Sequence, residues 1–521
     1  MAKANQLKSG IVLSYINQAL GMIIPFVYTP LMLSILGQSE YGLYSLSNSV
    51  VSYLSLLSFG FGATNIRYIS KYRAEGNKEA LQRTYGFFLM LYTAMAILVF
   101  VLGIVLSGNV EAIFHKGLTT DEQATMKVLV ILMAGSSALA FPVSVVSSMI
   151  ISHEKFIFRQ IMNVFTTVIG PVSNIVFLLL GYRSIGMAIA SFAVQAITIP
   201  TYIIYVTKVL KIKPKFGKIE PSIIKEMVRV SFYNFLASIV DMLFWATDKV
   251  ILGMLTSTSI VAVYTIGGRF NSMTIGLSST ITSVLAPKAT RMVVNNASNK
   301  EFTNLFIKIG RVQFLIIGLV TTGFIAFGQE FINLWVGETY RGSYAIALMT
   351  LLPLAIPLIQ NTGITIMVAQ NKQRFRSLVY TAIAIANVVS TWFAVQYVCS
   401  IDHNEWGGFV AALCSCVAYV IGQGFVMNWY YYKKIGIDIP RFWKNIIKMA
   451  IVPIVMCAIT LTLTKFTGLI SLNNWLTFFI GVGIYAAIYI FIMYKFIIND
   501  YERDLIRKPV KGLLRKLKIK K

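Results

Sequence analysis

Charge is what this sequence has least of. Asp, Glu, Lys and Arg together make up 13% of its residues, against about 25% in an ordinary soluble domain. A chain of 521 residues with so little charge cannot cover itself with a polar surface in water. Histidine is almost missing: His115, His153 and His403 each fall in a connecting segment. That scarcity argues against histidine-based acid–base catalysis and against a histidine-built metal site. The four cysteines, Cys399, Cys414, Cys416 and Cys457, sit in or beside apolar runs. They have neither zinc-site spacing nor the exposed pairing of a disulfide framework, and read as small packing residues. No catalytic residue, metal site or cofactor motif is expected.

What the sequence has in excess is apolar length: 56% of its residues are hydrophobic. A helix crossing a hydrocarbon core of roughly 30 Å needs about 20 apolar residues. Fourteen such runs are found, at 11–36, 41–66, 84–107, 127–151, 160–181, 185–207, 230–255, 259–285, 312–336, 344–369, 377–399, 407–432, 447–466 and 475–498. The first is too long for a cleavable signal and is read as a membrane span. The expected fold is therefore all-α, polytopic, with about 14 transmembrane helices.

The formal charge of +26 is distributed by topology. All but seven of the 46 Lys and Arg residues lie in the even-numbered connections or at the two ends. Lys116, Lys127, Arg183, Arg341 and Lys465 fall on the opposite side, and Lys249 and Arg269 fall within spans. Basic residues stay cytoplasmic, so both termini are expected inside. No soluble basic module or aromatic groove points to nucleic acid. The tail from Arg503 to Lys521 alternates Leu513, Leu514, Leu517 and Ile519 with Lys511, Arg515, Lys516, Lys518 and Lys520. That pattern fits a short basic amphipathic helix on an anionic inner leaflet.

An internal repeat divides the chain. Leu13-Ser14-Tyr15 corresponds to Val230-Ser231-Phe232, Ile35-Leu36-Gly37 to Ile251-Leu252-Gly253, and Lys155, Phe158 and Arg159 to Lys372, Phe375 and Arg376. Six spans per copy is an even number, so the copies share one orientation, as in many secondary transporters. The expected organisation is an N-lobe at 1–218, a C-lobe at 219–440, two extra spans at 441–498 and a basic tail at 499–521.

Ionisable residues inside spans cost several kcal/mol unless paired or hydrated, and each is a site candidate. Asp241, Asp248 and Lys249 lie on span seven and Arg269 on span eight. Asp241 stands roughly 18 Å into its helix, and Asp248, seven residues on, shares its face. Arg269 is near mid-depth, where either carboxylate is a candidate partner. Two readings stand: an ion pair that fixes the hairpin of spans seven and eight, or a charged central cavity. Lys249 points about 100° away from Asp248 and suits snorkelling to the outer interface. Arg67 closes span two in Gly60-Phe61-Gly62-Ala63-Thr64-Asn65-Ile66-Arg67-Tyr68. Its planar fork suits phosphate oxygens, and it equally serves as the first positive residue of the cytoplasmic loop.

Three stretches carry a family resemblance. They are Tyr28-Thr29-Pro30-Leu31-Met32-Leu33-Ser34-Ile35-Leu36-Gly37 followed by Tyr41-Gly42-Leu43-Tyr44, the end of span two from Phe59 to Tyr72, and Thr247-Asp248-Lys249-Val250-Ile251-Leu252-Gly253. In these, and in length and helix count, the chain resembles the bacterial Wzx-type polysaccharide flippases of the multidrug/oligosaccharidyl-lipid/polysaccharide exporter superfamily. The resemblance implies two six-helix lobes around a cationic cavity. It further implies an undecaprenyl-pyrophosphate-linked oligosaccharide as cargo, flipped outward by alternating access for O-antigen, capsule or exopolysaccharide synthesis. Arg269 and Arg67 match the family's cavity cations, and a glycan polymerase is a candidate partner. A cation-coupled multidrug exporter or a lipid II flippase of the same superfamily remains open, as does, more distantly, a membrane-embedded glycan-modifying enzyme. The longest outer connection, 108–126, holds Glu111, His115, Asp121 and Glu122 without a catalytic pattern.

Overall fold

A computed structural model describes residues 2–217, 220–370, 372–466, 472, 474–505 and 507. Most of the basic tail, with Lys511, Arg515, Lys516, Lys518 and Lys520, lies outside the described residues. Among the described residues all regular structure is helical. The principal helices are α1 (Ala2–Ser52), α2 (Phe61–Ala74), α3 (Lys78–Gly108), α4 (Val110–Phe114), α5 (Thr120–Ser152), α6 (Phe156–Leu179), α7 (Arg183–Ile204), α8 (Pro221–Trp245) and α9 (Thr247–Leu255). They continue with α10 (Thr258–Val294), α11 (Asn299–Val336), α12 (Ser343–Ile359), α13 (Asn361–Ala369), α14 (Gln373–Ser400), α15 (Gly407–Tyr419), α16 (Asn428–Tyr430), α17 (Ile439–Leu461) and α18 (Trp475–Ile492).

Helix starts follow from local chemistry. Thr119 with Glu122, and Ser298 with Glu301, form capping boxes that satisfy the first amides of α5 and α11. Pro221 opens α8, where a missing N–H costs nothing. Among the described residues ten helices are long and apolar enough to cross a membrane, and the bent pair α12 and α13 makes an eleventh. The first, Val12–Ala74, runs for 63 residues, enough for two spans. Within it Gly37, at φ 77, takes the left-handed turn that ends span one. Helices α8 with α9, and α10, stand where spans seven and eight are expected. They carry the intramembrane charges, and with them the count reaches fourteen.

Three of these spans are broken. Span two passes through a 3-10 segment at Tyr53–Ser58 and two left-handed residues, Phe59 (φ 49) and Gly60 (φ 65). Span seven breaks at Ala246, between α8 and α9. Span ten bends by 46° between α12 and α13, just after Pro357 and at Gln360, whose amide donates to buried Asn428 at 2.7 Å.

Packing groups the chain into two compact units. The first comprises residues 1–266 and 377–415. In it α3 packs on α5, α1 on α6, and α7 on both α5 and α6. The second comprises 267–376 and 416–521 and is built around α11, which packs against α12, α17 and α18. Packing and the sequence repeat thus partition the chain differently.

The core of the second unit includes Phe327, Met449, Cys457, Tyr485 and Tyr489. Its charged fastening is Arg311, whose guanidinium donates to both oxygens of Glu502 at 2.6 and 2.9 Å and to the Ile497 carbonyl at 3.1 Å. Glu502 is 1% exposed and also accepts from the Asn499 amides. Removing one partner of such a buried pair leaves an uncompensated charge, a loss of about 3–5 kcal/mol. Glu502→Ala is accordingly expected to lower the thermal midpoint in detergent sharply. The double change Arg311→Met with Glu502→Leu, which removes both charges, is expected to recover most of that loss. Equal midpoints for Glu502→Ala and the parent would contradict the assignment.

Candidate functional site

The site is built at the break in span seven. Span seven is interrupted at Ala246, between α8 and α9, so Asp248 falls in the first turn of α9. The following hairpin, turning at Thr256, brings Tyr264 on α10 back to the same depth. Oδ2 of Asp248 accepts from the Tyr264 hydroxyl and, at 2.9 Å, from Ser415 Oγ on α15. Asn387 on α14 donates to Ser415 Oγ at 3.1 Å, so the serine passes on the polarity it receives.

The other half of the pocket is unfilled chemistry. Asp248 is 0% exposed and Thr391 0%, with Asn387 at 1%. Yet, among the described residues, Asp248 Oδ1 and Asn387 Oδ1 have no hydrogen-bond partner. Asn387 and Thr391 are four residues apart on α14 and so share a face. Thr391 is near enough to bear on the carboxylate. Each buried, unpaired polar atom costs about 1–3 kcal/mol. Two oxygens left in this state, one of them the carboxylate's own, favour a small positive partner. A monovalent cation or a proton is the chemistry this arrangement takes. Among the described residues there is no cluster of three or more His, Cys, Asp or Glu side chains placed to hold a metal.

The remaining sequence candidates lie elsewhere. Lys249 is half-buried beside Asp248 on α9. Asp241 is exposed on α8. Arg67 is exposed on α2, with Nη2 4.0 Å from Glu226 Oε1 on α8. Arg269 is half-buried on α10 and belongs to the second compact unit, whereas Asp241, Asp248 and Lys249 belong to the first. Tyr264, Asn387, Thr391 and Ser415 are residues that the sequence reading did not single out. Asn387 and Thr391 are not set apart by sequence, since Thr381, Ser390 and Gln396 are polar residues of the same span.

Comparison with known proteins gives this arrangement a setting. Residues 7–293 match the model of a family described as polysaccharide biosynthesis protein. The chain belongs to that family. Among curated proteins, no sequence matches significantly. Solved structures with the same fold include the lipid II flippase MurJ in an inward closed conformation. It has a TM-score of 0.70 at 16% identity, over 95% of this chain and 99% of that one. A multidrug resistance MATE family transporter of the MOP superfamily, inward-facing, follows with a TM-score of 0.60 at 14% identity, over 84% and 99%. A MATE transporter from Vibrio cholerae has a TM-score of 0.55 at 13% identity, over 83% and 98%. This member of the polysaccharide biosynthesis family is thus a multi-pass inner membrane protein that shares its fold with these transporters and flippases.

Proposed function

We propose that the protein flips an undecaprenyl-pyrophosphate-linked oligosaccharide from the cytoplasmic to the outer face of the inner membrane, driven by a cation that enters at Asp248. Family membership supports a role in polysaccharide synthesis. The observation that carries the coupling is the buried Asp248 carboxylate, whose Oδ1, like Asn387 Oδ1, has no hydrogen-bond partner among the described residues. Intramembrane carboxylates of this kind are the usual mark of ion-driven transport.

The lobes at 1–218 and 219–440 rock about the cargo, both termini stay cytoplasmic, and the spans at 441–498 are additional to the repeat. A prenyl tail remains in lipid while the anionic pyrophosphate and its sugars pass through the protein. Arg269 and Arg67 hold that anion, Arg269 at mid-depth and Arg67 at the cytoplasmic mouth, where a guanidinium fork fits phosphate oxygens. Asp241 and Lys249 tune the field along the route.

Arg67 allows a clean separation of binding from folding. An exposed pair such as Arg67–Glu226 contributes less than about 1 kcal/mol. Arg67→Ala is expected to leave the thermal midpoint unchanged. It should raise the cargo concentration needed for half-maximal flipping about fivefold, the share of one exposed charge-assisted contact. Unchanged concentration dependence would remove Arg67 from the binding machinery.

The proposal is tested by reconstitution into vesicles holding a fluorescent undecaprenyl-pyrophosphate-linked glycan. Appearance of label on the opposite face, faster with an imposed sodium or proton gradient, is expected. A second reading, a cation-coupled drug exporter, is favoured by the same acidic pocket and by the MATE fold. Gradient-driven movement of a cationic dye, without movement of the glycan, would select it.

A further inference from the structure

Span two lies antiparallel against span seven, within the first compact unit, for the whole length of both. From the cytoplasmic end outward, Arg67 meets Glu226, Thr64 Oγ1 bonds Ser231 Oγ at 2.7 Å, and Phe59 stacks on Phe235 with ring centroids 4.3 Å apart. Further out Ser52 approaches Met242, Tyr53 bonds Thr247, and Leu46 packs on Gly253. At the outer end a β-carbon at Gly42 would collide with the Thr258 carbonyl, and one at Gly117 with the Gly253 carbonyl. Backbones come this close only where side chains are absent.

Three side chains close this end. Glu122 Oε1 accepts from Ser39 Oγ at 2.6 Å and from Thr258 Oγ1 at 2.7 Å, and the two hydroxyls are 2.8 Å apart. The same carboxylate caps α5 through Thr119, so it is held rigidly while it grips its partners. Ser39 and Glu122 belong to the first sequence repeat and Thr258 to the second. Midway along the seam, Phe59 and Gly60 adopt left-handed geometry, strained for phenylalanine. That break separates the outer contacts from the inner Thr64–Ser231 pair.

We propose that the Ser39–Glu122–Thr258 clasp is the outer gate of the transport cycle, opening for release while the inner seam beyond Phe59–Gly60 stays joined. The inference rests on the transport reading above and adds the residues that must part. Alternating access requires contacts between the repeats to break on one side at a time, and here those contacts are a carboxylate and two hydroxyls.

The test uses the full-length chain with its four cysteines replaced by alanine. Leu46→Cys places a thiol at a fully buried position on the seam. Its labelling by a membrane-impermeant maleimide from outside is expected to rise about tenfold when the clasp is broken by Thr258→Val, a population shift of the size one or two lost hydrogen bonds produce. Thr258→Val leaves the α5 capping box whole, and Glu122→Ala should act in the same direction. Equal labelling in clasped and unclasped chains would overturn the gate. Separately, the pair Ser39→Cys with Thr258→Cys is expected to flip cargo when reduced and to stop when oxidised, recovering with reductant. Continued flipping through a verified cross-link would also overturn it. Labelling that responds to the clasp in a chain that moves no lipid-linked glycan in any state would uphold the gate and remove the cargo assignment.

Discussion

Asp248→Asn is expected to lower gradient-driven flipping about a hundredfold, the upper range of a single coupling free energy, with the protein still folded and inserted. Asparagine keeps the shape of the side chain and an acceptor for Tyr264 and Ser415, so packing around α9 is preserved. It removes the charge, and with it the attraction that brings a cation to Oδ1 and to the oxygens of Asn387 and Thr391. The gradient dependence identifies the role. If Asp248 only fixes the α9–α10 hairpin, flipping falls with and without a gradient alike. If it binds the coupling ion, the variant retains slow downhill movement that no gradient accelerates. Thr391→Val, which removes a hydroxyl beside the carboxylate at nearly constant volume, is expected to weaken the ion dependence while leaving downhill movement intact. Gradient-accelerated flipping by Asp248→Asn at the parent rate would remove the carboxylate from the mechanism.

Arg269→Ala is expected to abolish export while the protein still reaches the membrane. An arginine half-buried within a span is expensive to keep there, which makes it a candidate for a functional role. On the proposed reading, a phosphate held by its guanidinium fork loses both position and charge compensation when the fork is cut away. Arg269→Lys keeps the charge and loses the fork. A partial defect in Arg269→Lys beside a complete one in Arg269→Ala would separate geometry from charge. The readout is the amount of lipid-linked glycan reaching the outer face, normalised to protein in the membrane. Full export by Arg269→Ala would exclude it from the route.

Much of the architecture was legible because the bilayer imposes length and side. Runs of about 20 apolar residues mark spans whatever their packing, and Gly37 stands where the first must end. Asp248 was legible for the same reason, as a charge in a place hostile to charge. The breaks were less so. Gly60 carries a glycine's signal, but Phe59 does not, and the Ala246–Thr247 interruption has neither glycine nor proline to announce it. Its consequence, Asp248 at a helix start, arises from tertiary packing. The partners of Asp248 were also hidden. Sequence weighs charged residues as partners for a charge, and so turns to Arg269. At Oδ2 the bonds come instead from hydroxyls of Tyr264 and Ser415, the latter 167 positions away. The clasp of Ser39, Glu122 and Thr258 was invisible for the same reason, as three ordinary loop-edge residues that only folding brings together.

The most direct test of the cargo assignment is made in cells lacking this chain, by measuring where the lipid-linked glycan resides. The account predicts accumulation of the undecaprenyl-pyrophosphate-linked repeat unit on the cytoplasmic face, relieved by the wild-type chain and not by Asp248→Asn or Arg269→Ala. Normal export of surface polysaccharide, with no accumulation on that face, would contradict it.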